Sequence, residues 1–309
     1  MTSTSYKNII LVGAGGSLGS VLLDSLLSEP SFKITVLARE SSKALSSIPP
    51  SAKVIKISDS YPHEDLVAAF QGQDAIVNAI TSFSVAEQLK FIDAGIEAGV
   101  KRYIPSEYGL DNNTPAAREL SPVFGDKGLV QDYLREKEAA GLTWTAIACG
   151  MWIDWSLKNN FLGLNYADRT ITLTNDGKGY FSTSTLNNTA LTLNKVLLSP
   201  SSSANQIVFI SDFATTQEEL VQAFERLTGE KWTRKSIKTA ETIPALQKAW
   251  DGGDVYAGYG LINIGFTEGS YSGHFEPAKK LRNGEFGLQK NELEGVVRGA
   301  LQKIGHPGF

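Results

Sequence analysis

This 309-residue chain has one cysteine and three histidines. Cys149 has no second thiol to pair with, which excludes an intramolecular disulfide and points to a reducing compartment. His63, His274 and His306 are scattered and set no metal-ligand spacing, so no metal is expected. No apolar run approaches the length of a membrane span. The opening Met1-Thr-Ser-Thr-Ser-Tyr-Lys7 leads straight into a short apolar stretch, without a charged region and a long apolar region in succession. The cytoplasm is therefore the expected compartment. The net charge of −4 comes from interspersed residues of both signs, and without a basic stripe neither nucleic acid nor an anionic membrane is an expected partner. What is present is ordinary for a globular protein: 42% hydrophobic and 20% charged residues, on a chain long enough for a sizeable core.

The first half alternates short apolar runs with helical periodicity. Asn8–Val12, Lys33–Leu37, Lys53–Ile57, Asp74–Ile80, Val100–Ile104 and Leu142–Ala148 read as strands. Between them, Ser17–Leu27, His63–Phe70, Ser84–Ala98 and Val123–Ala140 read as helices, with Val85, Leu89, Ile92 and Ile96 on one face of the third. Strands and helices in this order predict right-handed βαβ units: an α/β, doubly wound parallel sheet of the Rossmann type, covered on both faces. After Gly150 the rhythm breaks. A helix near Ser184–Leu197 and a seventh strand over Gln206–Ile210 are expected to return to the sheet. The expected division is thus residues 1–150 with 184–212 as the dinucleotide-binding domain. Residues 151–183 and 213–309 would form a smaller α+β substrate lobe, with helices at Gln217–Leu227, Ile243–Trp250 and Asn291–Ile304.

Gly13-Ala-Gly15-Gly16-Ser17-Leu18-Gly19 lies between the first strand and the first helix. A pyrophosphate needs bare backbone N–H groups at a helix N-terminus, because side chains there would hold it off. Strand, glycine-rich turn and helix occur in the order a dinucleotide site requires. The second strand ends in Arg39 rather than a carboxylate, and a guanidinium facing a 2′-phosphate is a charge-assisted match. With Lys43 beyond it, this favours NADP over NAD. The alternative leaves Arg39 solvated and gives the ribose to Glu40. Asp59, just past the third strand, is either an adenine contact or a turn residue. Asn78, Ile80 and Phe83, at and after the fourth strand, are expected to line the cofactor.

A Tyr-x-x-x-Lys string, Tyr133 to Lys137, invites reading as a short-chain dehydrogenase pair. Its place argues otherwise. It falls late in its helix, just before Gly141 and the sixth strand, and so towards the end of the sheet opposite the strands' carboxyl ends, where cofactor chemistry belongs. Lys127, near the start of the same helix, is on the correct side, and four residues before it stands Val123 rather than a tyrosine.

Lys101-Arg-Tyr-Ile-Pro105-Ser106-Glu107-Tyr108-Gly109, Phe124-Gly-Asp-Lys127 and Gly141-Leu-Thr-Trp-Thr145 resemble the NmrA-like / isoflavone reductase-like family of atypical short-chain dehydrogenases. The resemblance covers the first half well and the remainder loosely. It implies an NADPH-dependent reductase in which Lys127 is the general acid/base and Ser106 lies beside the nicotinamide. A lysine near a positive ring and partly desolvated can exchange a proton near neutral pH; the alternative is that it only bonds the ribose hydroxyls. Two departures, Gln131 where plant members carry a basic residue and Asn188 where an acid is common, argue against carrying over a plant lignan or isoflavonoid substrate.

Met151, Trp152 and Trp155 follow the sixth strand, and Tyr256, Tyr259, Phe266 and Tyr271 lie in a Gly/Tyr-rich segment read as a mobile lid. They suggest a flat aromatic or apolar small-molecule substrate, although the same side chains could simply stitch the two lobes together. The expected activity is reduction of a small aromatic or conjugated carbonyl or enone. A redox sensor that binds NADP and signals to a protein partner, or a biosynthetic isomerase or cyclase, stays open.

Overall fold

A computed structural model describes residues 6–306 and 309. The chain divides into two compact units. The first comprises the residues through Glu107 together with Asp126–Ile147 and Thr189–Val208. The second comprises Tyr108–Gly125, Ala148–Asn188 and the chain from Phe209 onward.

The chain begins with β1 (Asn8–Val12), α1 (Ser17–Leu27), β2 (Lys33–Arg39), β3 (Lys53–Ile57), α2 (His63–Phe70), β4 (Ala75–Asn78), α3 (Gln88–Glu97) and β5 (Arg102–Ile104). It continues through α4 (Pro115–Leu120), α5 (Pro122–Glu136), β6 (Thr143–Ala148), β7 (Met151–Trp152), α6 (Ile153–Lys158), β8 (Leu164–Asn165), β9 (Thr170–Thr174), β10 (Phe181–Ser184), α7 (Leu186–Leu198) and β11 (Gln206–Phe209). The last elements are β12 (Phe213–Thr215), α8 (Gln217–Thr228), β13 (Thr233–Ile237), α9 (Thr239–Asp251), α10 (Val255–Thr267), α11 (Asn283–Phe286) and α12 (Leu293–Lys303).

The first unit is built on the expected sheet, seven strands in the order β11-β6-β5-β4-β1-β2-β3. Parallel pairing runs from Ile9 opposite both Ile34 and Ala75 to Val12 opposite Leu37 and Asn78. The strands are continuous apolar runs because both faces are covered: Ile9, Ile10, Leu11, Ile76 and Val77 are fully buried. Strand order reverses between β1 and β4, so their carboxyl ends flank the switch point where such sheets open a crevice. The seventh strand, expected over Gln206–Ile210, is β11 at the edge beside β6.

Elsewhere the structure corrects the sequence reading locally. The helix expected over Ser84–Ala98 begins only at Gln88, because Ser84 (φ −131°, ψ 22°) leaves the helical region and the preceding residues form a 3₁₀ turn. The second unit holds two three-stranded sheets, β12-β10-β7 and β13-β9-β8. In it, the Gly/Tyr-rich segment read as a lid contains a regular helix, α10, capped by the Asp254 side chain. Its glycines are contact points rather than breaks. A Cβ on Gly260 would lie 3.0 Å from Leu246 of α9, and one on Gly265 would lie 2.5 Å from the Phe124 ring. No helix among the described residues is long and apolar enough to cross a membrane.

Candidate active site

At the carboxyl end of β1 the chain turns at Gly13, whose φ of +87° suits glycine, and a Cβ there would stand 2.4 Å from the Ala79 carbonyl oxygen. Gly19 is bare for a similar reason, since a Cβ would fall within contact of the Gly13 carbonyl. Gly16 differs. A Cβ on it would meet nothing nearer than 3.6 Å, so packing alone does not require glycine. Gly16 is the N-cap of α1, no side chain caps that end, and the first turn carries no acid. Gly15, Gly16 and Ser17 are exposed, whereas Leu18 is buried beneath them. The first turn of α1 thus presents backbone N–H groups and the positive end of the helix dipole to solvent. A pyrophosphate fits this cradle, and a side chain at residue 16 would fill it.

Next to the turn, Arg39 ends β2 exposed, and no hydrogen bond or ion pair among the described residues engages its guanidinium. Asp59 accepts from the Ser41 backbone N–H at 3.3 Å and from the Ser41 hydroxyl. The Ser41 hydroxyl, first, and its N–H hold the Asp59 carboxyl below the usual carboxylate range. Lys43 is exposed and opens a 3₁₀ turn in which the Ala44 methyl stands 2.3 Å from where a Cβ on Gly15 would be.

Across the switch point, a buried polar chain ties the ends of β4 and β5 together. Asn78 accepts from the Ile80 N–H at 3.1 Å and donates to the Tyr103 hydroxyl at 3.1 Å. That hydroxyl donates in turn to Gln88 Oε1 at 3.4 Å. The same Gln88 oxygen accepts the Ser106 N–H at 2.8 Å, while the Ser106 hydroxyl donates to the Ile80 carbonyl at 2.9 Å. Gln88 is fully buried, and sequence reasoning passed over it. Its signal was a lone amide at the start of α3, three residues after the apolar Val85. Lys127, on the first turns of α5 and 9% exposed, donates from Nζ to the Glu107 carbonyl oxygen at 2.5 Å. Contact therefore runs from Gly13 through Ala79, Ile80, Ser106 and Glu107 to Lys127, all at the carboxyl end of one parallel sheet. Phe83 lies in the 3₁₀ turn that follows Ile80.

Tyr133 and Lys137 belong to neither group. The Tyr133 hydroxyl donates to Asp93 of α3 at 2.6 Å, and the Lys137 ammonium stands 3.6 Å from the same carboxylate and 4.8 Å from the Tyr133 ring centre. Gln131 is buried one turn after Lys127; its Oε1 accepts from Arg135 at 3.3 Å and its Nε2 has no hydrogen-bond partner among the described residues.

The expected substrate residues all belong to the second unit. Met151 is buried on β7, paired opposite Thr183. Trp152 donates from its indole N–H to Cys149 Sγ at 3.2 Å, and Trp155 packs edge-on against Phe161. Tyr256 and Tyr259 are 78% and 41% exposed on α10, whereas Phe266 of the same helix is buried. A cavity of about 200 Å³ in this unit, lined by Tyr166, Phe224, Trp232 and His306 among others, includes none of them. Asn188 is buried, donating to Asp212 at 2.7 Å and to the Gln289 carbonyl at 2.8 Å. Among the described residues no group of His, Cys, Asp or Glu could hold a metal ion.

Comparison with known proteins gives the same family that the sequence suggests. The profile of the NmrA-like family matches residues 5–252. The oxidoreductase aprR of Aspergillus flavus is 36% identical over 225 residues, 72% of this chain and 75% of that protein. A phenylcoumaran benzylic ether reductase, Pyrc5 of Pyrus communis, is 28% identical over 270 residues, 79% of this chain and 82% of its own length. In fold, the chain resembles the leucoanthocyanidin reductase–NADPH complex from Vitis vinifera. That likeness has a TM-score of 0.77 and 16% identity, and covers 96% of this chain and 99% of the other.

Proposed function

This chain belongs to the NmrA-like family, and from that premise we propose that it is an NADPH-dependent reductase of a small aromatic or conjugated carbonyl compound. One observation carries the reading. A nearly buried lysine ammonium is held at the carboxyl end of the sheet that also presents the bare glycine-rich turn, joined to it through Ala79, Ile80, Ser106 and Glu107.

Gly15, Gly16 and Ser17 would hold the pyrophosphate through backbone N–H groups, and Arg39 with Lys43 would hold the 2′-phosphate. When bound, the nicotinamide supplies a hydride. The protein's own part is to place an acid where negative charge develops. Lys127 Nζ carries the proton that the substrate oxygen takes up, and the Glu107 carbonyl fixes the direction in which the ammonium points. Ser106, held through both its N–H and its hydroxyl, shapes the wall beside that ammonium. The aromatic side chains Trp152, Trp155, Tyr256 and Tyr259 support a flat apolar substrate. Following NADPH absorbance with purified protein and a panel of aromatic enones and ketones tests the reading. Consumption with at least one of them is expected. Binding of NADPH without consumption would instead favour a sensor.

A further inference from the structure

The parallel pairing of β2 with β3 sets Arg39 opposite Ile57, and the Glu40 N–H donates to the Ile57 carbonyl at 2.9 Å. Two residues further on, the same register brings Ser41 to Asp59. Both donors that Ser41 offers, its N–H and its hydroxyl, are spent on that one carboxylate. Arg39 is close enough to Asp59 for its charge to act on the carboxyl. An oxyanion from the end of β3, within reach of the Arg39 charge, therefore already occupies the donors of the loop that follows β2. This loop also touches the glycine-rich turn, since Ala44, three residues after Ser41, lies against Gly15. A phosphate arriving on the ribose next to Arg39 would seek the same two Ser41 donors, and two anions cannot share them.

We propose that Asp59 is an internal competitor for the 2′-phosphate of the cofactor, occupying on Ser41 the hydrogen bonds that the phosphate takes when NADPH binds. The inference rests on the reading that Arg39 receives that phosphate. Asp59 thus sets how tightly the 2′-phosphate is held: its carboxylate must leave Ser41, and it then stands as a like charge at the edge of the site. The effect is electrostatic and exposed, so it is modest and weakens with salt.

The test is calorimetric titration of the full-length protein with adenosine 2′,5′-bisphosphate, and with adenosine 5′-monophosphate as the probe lacking the 2′-phosphate. Asp59→Asn is expected to bind the bisphosphate about five-fold more tightly than wild type at low salt, with most of the gain lost at high salt. Its affinity for the monophosphate should stay within two-fold. Ser41→Ala should weaken the bisphosphate and remove most of the gain when added to Asp59→Asn. Unchanged or weaker bisphosphate binding by a folded Asp59→Asn protein would overturn the proposal. An equal loss for both probes would also overturn it, by making Asp59 a support for the adenosine. Failure of the underlying reading has a different signature: wild type would hold the bisphosphate no better than the monophosphate, and Arg39→Ala would change neither.

Discussion

Lys127 Nζ lies 2.5 Å from the backbone carbonyl oxygen of Glu107. The carbonyl is an acceptor that substitution of the Glu107 side chain would not remove, and it aims a 9%-exposed ammonium at the carboxyl end of the sheet. Replacing Lys127 with alanine should therefore lower kcat/KM by about 10²–10⁴-fold, the range of general acid catalysis. NADPH affinity should stay within a few-fold by calorimetry. A turnover rate near wild type would remove Lys127 from the chemistry.

The glycines of the turn separate folding from binding. Gly13→Ala forces a side chain into the Ala79 carbonyl at a positive φ and should cost about 1–3 kcal/mol, read as a lower denaturation midpoint. Gly16→Ala has room and should unfold within roughly 0.5 kcal/mol of wild type. It should nonetheless lose most NADPH affinity, because the added methyl stands where a phosphate would approach. If both variants unfold alike and both bind, the cradle is not a phosphate site.

The proposed 2′-phosphate contact predicts that Arg39 discriminates between the two dinucleotides. With Arg39→Ala, the rise in melting temperature produced by saturating NADPH should shrink, corresponding to a loss of about 2 kcal/mol in binding. The smaller rise with NADH should be unaffected. Equal losses would mean that the guanidinium does not meet the 2′-phosphate.

Gln88 joins Ser106 to Tyr103, and the proposed site predicts a positioning role for it. Gln88→Leu leaves the buried Ser106 N–H and the Tyr103 hydroxyl without their acceptor, and should cost about 1–3 kcal/mol of stability. Its kinetic mark should be a fall in kcat larger than any rise in KM, as the β5 end drifts from Lys127. Gln88→Glu, which keeps the acceptor, should recover part of both losses. No recovery would make the role purely one of packing.

In the second unit, Arg234 donates to the Glu225 carboxylate at 2.9 Å, which holds the Glu225 carboxyl down to about 2. A depressed folded-state value means that the ionised pair stabilises the native state above pH 4.5, the ordinary value, and that this contribution disappears as pH falls towards 2. Glu225→Gln should be less stable than wild type near neutrality by on the order of 1 kcal/mol, given the partial exposure of the pair. In urea titrations the gap should narrow below pH 4.5 and close as the pH approaches 2. A gap independent of pH would assign the effect to packing.

Much of the first unit could be read from the chain. The apolar runs at Asn8–Val12 and around Ile76 carry their two-sided burial in their composition, and the Gly13–Gly19 spacing points to a turn that only bare backbone can make. The place of Lys127 followed from counting along one helix, as did the rejection of Tyr133 and Lys137, which the structure pairs with Asp93 instead. Gln88 was not legible, because an amide on an apolar helix face carries no period of its own and its partners on β5 are distant in sequence. The helix Val255–Thr267 was missed for the opposite reason. Gly258, Gly260 and Gly265 look like breakers until Leu246 and Phe124 are seen against two of them, where a side chain would not fit. Asp59 was recognised as either a turn residue or an adenosine contact; only the β2–β3 register shows that it spends both donors of Ser41.

The most direct test is calorimetric titration of the purified protein with NADPH and with NADH in parallel. Saturable one-to-one binding of NADPH, at least ten-fold tighter than NADH, is the predicted result. Heats indistinguishable from dilution for both dinucleotides would contradict the account and leave Lys127 without a cofactor to act beside.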